Sequence, residues 1–286
     1  MKNFLKKIAV IFSLVALIAG GANIAKVSAG PLTIVEAVEQ GKQALAQAKL
    51  SYLTTPQYKT VTTGKGKKKK TSKVISGYNL TQKDIALAIF DPATSEIKVT
   101  FGKQKSESIV FTDPKFKIKP GAFNGANTPF TVSQPAGGVV VALKYLFTPV
   151  ETGDSKTIAN AKYEGIYVPY SKSLHDQELA QKGEKYLDNV IAQAVKELSG
   201  INSTFNPGVS VSQAIKPEVV KALIYAEHLD SGEFALAQDV SEMTRKVNLL
   251  LGGNGPDTYR YSVSSANARG ISQFIPSTYA SLVTRH

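Results

Sequence analysis

The apolar residues of this chain change period once, and that change limits the folds open to it. Between residues 85 and 147 they alternate with polar ones or form short apolar runs; from about residue 187 they recur every three to four positions. Alternation sends successive side chains to opposite faces of a strand, whereas a three-to-four recurrence builds one stripe along a helix. The runs are Ile85–Phe90, Glu96–Phe101, Ser108–Thr112, Phe116–Lys119, Phe130–Ser133 and Val139–Phe147. Asp91-Pro92, Asp113-Pro114 and Pro120-Gly121 separate them and suit turns. Ile97, Val99 and Phe101 share one face of a strand, with Lys98 and Thr100 on the other. These residues predict a small antiparallel sheet whose aromatic side chains are core rather than a platform for sugars.

One helix precedes the sheet. Ile34, Val38, Ala44, Leu45 and Ala48 fall at helical spacing over Thr33–Leu50, with Thr33 as its cap and Gly41 as a weak point. Residues 51–63 are rich in Thr and Tyr and read as extended. Polar, small residues over 150–162 suit a linker, and Tyr167-Val168-Pro169-Tyr170 is a last extended piece. Leu187, Val190, Ile191, Ala194 and Leu198 then mark a long helix that Gly200 closes. Pro217 opens a second helix, to Asp230. A third runs from about Val240 to Leu251, with Asp239 as cap and Glu242 three residues on; Gly252-Gly253-Asn254-Gly255 stops it. The expected class is α+β: a β-rich antiparallel domain over 30–165, then an all-α domain over 166–286.

The start of the chain has the features of a secretory signal. Lys2, Lys6 and Lys7 precede an apolar stretch, Ile8–Ile18, and Val27-Ser28-Ala29 forms a small-x-small cleavage site. The apolar stretch is shorter than the roughly 20 residues that a membrane-spanning helix needs. The expected location is therefore outside the cytoplasm. The formal charge is +12, and residues 1–29 hold four lysines and no acid, so the remainder carries +8. A basic exported protein suits anionic surfaces such as wall polymers or headgroups, and export disfavours nucleic acid. Lysines crowd Gly64–Lys73, where like charges with nothing to bury predict a solvated loop; a tether to anionic wall polymers through Lys65–Lys73 is the functional alternative. With no cysteine and three scattered histidines, the sequence offers no metal site and calls for no cofactor.

Near the end lies Ser264-Ser265-Ala266-Asn267-Ala268-Arg269-Gly270-Ile271-Ser272-Gln273-Phe274-Ile275-Pro276-Ser277-Thr278. Its small residues let backbone approach a ligand, Gln273 offers a donor and an acceptor, and Pro276 suits a first helical position. The segment resembles the motif Ser-x-x-Gly-Ala-x-Gly-Leu-Met-Gln-x-x-Pro-x-Thr of lytic transglycosylases of the soluble-lytic-transglycosylase type, which have a goose-lysozyme-like fold. Ser264, Ala268, Gly270, Gln273, Pro276 and Thr278 fall on it. Asn267 stands at the first Gly, and Ile271-Ser272 at the Leu-Met pair.

The resemblance directs attention to a Glu at the end of an apolar helix upstream, and Val219–Glu227 fits that description. Val220, Leu223, Ile224 and Glu227 are spaced to share one helix face. A carboxylate emerging from a buried apolar stripe is costly to ionise, and a carboxyl group kept protonated can act as general acid. As the resemblance implies, Glu227 protonates the glycosidic oxygen between N-acetylmuramic acid and N-acetylglucosamine. It then acts as base on the sugar's C6 hydroxyl, leaving a 1,6-anhydro end without the second carboxylate of ordinary glycosidases. Ser264, Gln273, Gly270 and Tyr261 would line the substrate, and Tyr259 is a further stacking candidate or a core residue. Asp230 and Glu233 are competing carboxylates. Glu227 and Gly270 lie 43 residues apart, longer than the family's usual gap. The family's domain also continues beyond the part matched by residues 217–285, which implies a partial lysozyme-like domain. A second expectation, from the partial domain and the +8 charge together, is a non-catalytic, basic cell-wall-binding protein.

Overall fold

A computed structural model describes residues 31–64, 66, 69–147, 163–204, 206–229, 239–259 and 268–283. The expected signal over 1–29 and linker over 150–162 lie outside them. The described residues form an α+β structure. Helix α1 (Ile34–Ala46) starts at Thr33, whose hydroxyl accepts the Glu36 N–H while the Glu36 carboxylate accepts the Thr33 N–H. Among the described residues eight strands follow: β1 (Tyr52–Thr63), β2 (Lys70–Asp91), β3 (Glu96–Lys105), β4 (Ser108–Phe111), β5 (Lys117–Pro120), β6 (Phe130–Gln134), β7 (Val139–Phe147) and β8 (Tyr163–Tyr167). The main sheet has the order β4-β3-β2-β7-β8, all antiparallel, while β1 pairs with the first part of β2; β5 and β6 form a separate pair.

Strand β2 explains the near-continuous apolar run at 85–90, because both of its faces are covered. Ala86, Ala88 and Phe90 pack with Val38 and Leu45 of α1, while Ile85, Leu87 and Ile89 pack with Phe130, Leu143 and Tyr145. Gly41, expected as a weak point, sits where α1 lies close to the sheet: a Cβ there would stand 2.7 Å from Val141 Cγ2. Two lysines are buried with the strands. Lys83 donates to the Leu146 carbonyl at 2.7 Å and lies 3.7 Å over the Tyr145 ring, and Lys144 pairs with Glu164 at 3.0 Å and reaches the Ala46 and Ala48 carbonyls at the end of α1.

The basic loop expected over 64–73 is shorter than its composition suggests. Strand β2 begins at Lys70, and Lys70–Lys73 pair with Thr63–Thr60 of β1. Backbone pairing in a long hairpin needs no buried side chains on these residues, so the lysines stay in water while the ladder forms.

The helical half comprises α2 (Gln177–Glu197), α3 (Val211–Ala214), α4 (Pro217–His228), α5 (Val240–Asn254) and α6 (Pro276–Val283). Gly252 and Gly253 do not stop the third of the expected long helices; α5 continues through them to Asn254, with Gly255 (φ +55°) as its cap. Their role is packing. A Cβ on Gly252 would lie 2.1 Å from the Leu179 carbonyl oxygen of α2, and one on Gly183 would lie 1.8 Å from that of Asn248. The two backbones therefore touch, and Ala would not fit on either side.

The sheet and helices share a core across the expected boundary near residue 165. Leu179, Ala180 and Leu249 belong to the same buried cluster as α1 and the sheet. Just after β8, the Val168 N–H donates to Asn254 Oδ1 at 2.7 Å, and Asn254 Nδ2 donates to the Val168 carbonyl at 3.0 Å. Tyr167 donates its hydroxyl to the Thr258 carbonyl at 2.8 Å. Among the described residues no helix is long and apolar enough to cross a membrane.

Candidate active site

Gly270–Gln273 forms a tight turn between two bridged residues. The Arg269 N–H donates to the Phe274 carbonyl at 3.1 Å. Gly270 (φ +73°) and Gln273 (φ +48°) both take left-handed backbone conformations, which fold the chain back on itself. The Gln273 amide is used within the turn: Nε2 donates to the Gly270 carbonyl at 2.8 Å. Pro276 then opens α6, as the sequence predicts.

The turn meets α4 through His228. Nε2 of the imidazole lies 2.8 Å from the Ile271 carbonyl, and since a carbonyl only accepts, Nε2 carries the hydrogen. The ring stacks on Tyr259, with centroids 3.4 Å apart and planes 5° from parallel. Burial pushes the His228 pKa below the ordinary histidine value, against the opposing pull of the Ile271 carbonyl and the Glu227 charge. Tyr259 is itself buried, and its hydroxyl has no hydrogen-bond partner among the described residues. Burial raises its pKa far above that of free tyrosine. Tyr259 is thus a core residue and not a platform open to sugar.

Glu227, one residue before His228, ends α4 on a different side from the expected one. Ile224 is buried and Val220 half-buried, but Leu223 is 60% exposed and Glu227 lies in water. The four residues span an arc wide enough for a small roll to expose two of them. Polar anchors on the far side set that roll. Tyr225 donates to Asn248 Oδ1 of α5 at 2.8 Å, and Lys221 pairs with Glu184 at 2.9 Å and Asp188 at 2.8 Å on α2. Burial opposes the Lys221 charge, but the two carboxylates outweigh it and push the pKa up to about 12. The buried carboxylate expected from the apolar stripe is therefore absent.

Two small cavities flank Ile271. One, about 260 Å³, is lined by Tyr186, Val190, Leu251, Tyr259 and Gly270; the other, about 210 Å³ and apolar, lies between α2 and α4 against Val195 and Ile224. Both fall below the roughly 300–1,000 Å³ of typical small-molecule sites.

The structure thus brings the end of α4, with Glu227 and His228, to the turn that holds Gly270 and Gln273. Ser264, Tyr261, Asp230 and Glu233 lie outside the described residues. No set of three His, Asp or Glu side chains able to hold a metal occurs among the described residues. Sequence reasoning set His228 aside as a metal ligand and missed its contact with Ile271; nothing in its spacing marks it, because its partner is a backbone carbonyl. No family model matches this chain, and neither a curated protein nor a solved structure matches it.

Proposed function

We propose that this chain is an exported lytic transglycosylase that cleaves the bond between N-acetylmuramic acid and N-acetylglucosamine in peptidoglycan. The observation that carries the reading is the His228–Ile271 contact. It joins the end of α4, which carries Glu227, to the turn built from the motif residues Gly270 and Gln273. Glu227 acts as acid on the glycosidic oxygen and then as base on the C6 hydroxyl. Glu227 stands in water, where a glycan strand reaches it from solvent. Gly270 leaves room for the strand to approach backbone, and Ser264 and Tyr261 add contacts from the preceding segment. The goose-lysozyme-like character of the helical half belongs to the same proposal.

The test is digestion of purified sacculi by the full chain. Anhydro-muropeptides are expected, and Glu227→Gln should abolish their release while leaving the circular dichroism spectrum unchanged. Release that survives Glu227→Gln would remove Glu227 from the mechanism.

The exposure of Glu227 and the internal use of the Gln273 amide favour a second reading, a non-catalytic wall-binding protein. It expects the chain to pellet with sacculi at low salt, to be released as salt screens its charge, and to yield no product. Binding that ignores salt would count against it.

A further inference from the structure

The β1–β2 hairpin reaches past the sheet. Residues 83–91 of β2 pair with β3, and 85–90 also with β7, but 70–80 pair with β1 alone. Twelve residues of β1 at about 3.3 Å each make this ribbon about 40 Å long. Nearly all its described side chains from Thr54 to Ile75 are exposed.

One face of the ribbon is apolar without a covering element. Tyr58 lies opposite Ile75, and Pro56 opposite Tyr78. Positions 56 and 58 point the same way on β1; Ile75 and Tyr78 are three apart on β2, and the bulge between the two pairs, where Ser76 is the extra residue, lets both fall on that face. Tyr58 is 59% exposed, Ile75 51% and Tyr78 37%. Further out on the same face, Thr60 pairs with Lys73; the exposed Lys69 and Lys70 follow at the tip, where Lys70 pairs with Thr63 and so belongs to the other face. Residues 51–82 contain seven lysines and no acid.

We propose that this ribbon docks on an anionic phospholipid bilayer, with Tyr58, Ile75 and Tyr78 at the boundary between headgroups and acyl chains, Lys73 on the headgroups from the same face, and Lys69 and Lys70 reaching them from the tip. Lysines alone would suit any polyanion. The apolar face decides between them: Tyr prefers the interfacial layer, and Ile75 between two tyrosines gains from acyl contact but not from a phosphate polymer. A second copy is disfavoured as occupant, since two ribbons of like charge repel. Lysines beside an interfacial apolar face are attracted by anionic lipid and can keep their charge in water while their stems cover apolar surface. The inference is independent of glycan cleavage.

The chain has no tryptophan, so Tyr58→Trp in the full chain creates its sole indole. On vesicles of phosphatidylcholine and phosphatidylglycerol, the Tyr58→Trp emission should shift to the blue and be quenched by brominated acyl chains; phosphatidylcholine alone should do neither. Ser72→Trp, on the opposite face, should keep solvent-like emission. Residues 1–29 are common to both variants, so membrane attachment through them cannot produce a difference between the faces. Adding Lys69→Gln, Lys70→Gln and Lys73→Gln should raise the lipid concentration needed for the Tyr58→Trp shift roughly a hundredfold. Solvent-like emission from Tyr58→Trp on anionic vesicles, equal quenching at both positions, or a shift with soluble polyphosphate but not with vesicles would overturn the proposal.

Discussion

His228 carries more structure than its single ring suggests. It closes the end of α4 against Ile271 and covers one side of Tyr259. Its pKa is depressed by burial, so the unfolded chain binds a proton that the folded chain does not. Stability should therefore fall as pH drops through about 6.5, the ordinary histidine value, and level off below the folded pKa. His228→Phe keeps the stacking but removes both the hydrogen bond and the titration. It should cost about 1 kcal/mol at neutral pH and flatten the acid limb, read as urea midpoints between neutral and mildly acidic pH. An acid limb as steep as that of the parent would show that His228 is not its source. None of this is legible in the sequence, where His228 is only the neighbour of Glu227. The position of Glu227 at a helix end is legible, because Pro217 and the apolar spacing define α4. Its exposure is not, since it depends on where Lys221 and Tyr225 find partners on α2 and α5.

At the level of elements, the contact of α2 with α5 rests on glycines. Gly183→Ala and Gly252→Ala each improve helix propensity by up to about 1 kcal/mol, yet each places a Cβ inside a carbonyl's radius on the facing helix. The clash should dominate, with a net loss of about 2–3 kcal/mol in chemical denaturation. The two losses should not add, because both substitutions push the same pair of backbones apart. Unchanged stability in either variant would mean that the helices can separate without cost. In the sequence the pair Gly252-Gly253 reads as a stop signal, the commoner use of glycine after an apolar helix. The helix continues because α2 needs a surface without side chains at that height. The extended part of β2 before residue 84 is similarly hidden: a lysine-rich stretch with little to bury reads as loop until β1 is there to pair with it.

Across the whole molecule, Asn254 ties the helices to the sheet. It satisfies both backbone groups of the buried Val168, and its Nδ2 also reaches the Leu250 carbonyl at 3.1 Å. Asn254→Ala leaves the Val168 N–H and carbonyl without their partner. It should lower stability by about 2–3 kcal/mol. Since α1, β2, β7, α2 and α5 share one buried cluster, the sheet and helix signals should move together in thermal unfolding of this variant. Separate transitions for the two halves would show that the shared core does not couple them.

Local chemistry determined the order of elements. Strand alternation and turn residues set β3–β7, helical spacing set α1, α2, α4 and α5, and Pro276 set the start of α6, because each depends on neighbours within one segment. Tertiary structure decided which face of each element is covered. The roll of α4 that leaves Glu227 in water, the packing use of Gly252, the burial of Tyr259 and the exposed apolar face of the β1–β2 ribbon all depend on groups distant in the chain. Burial is a property of surfaces brought together, and no spacing along one segment records what will lie against it.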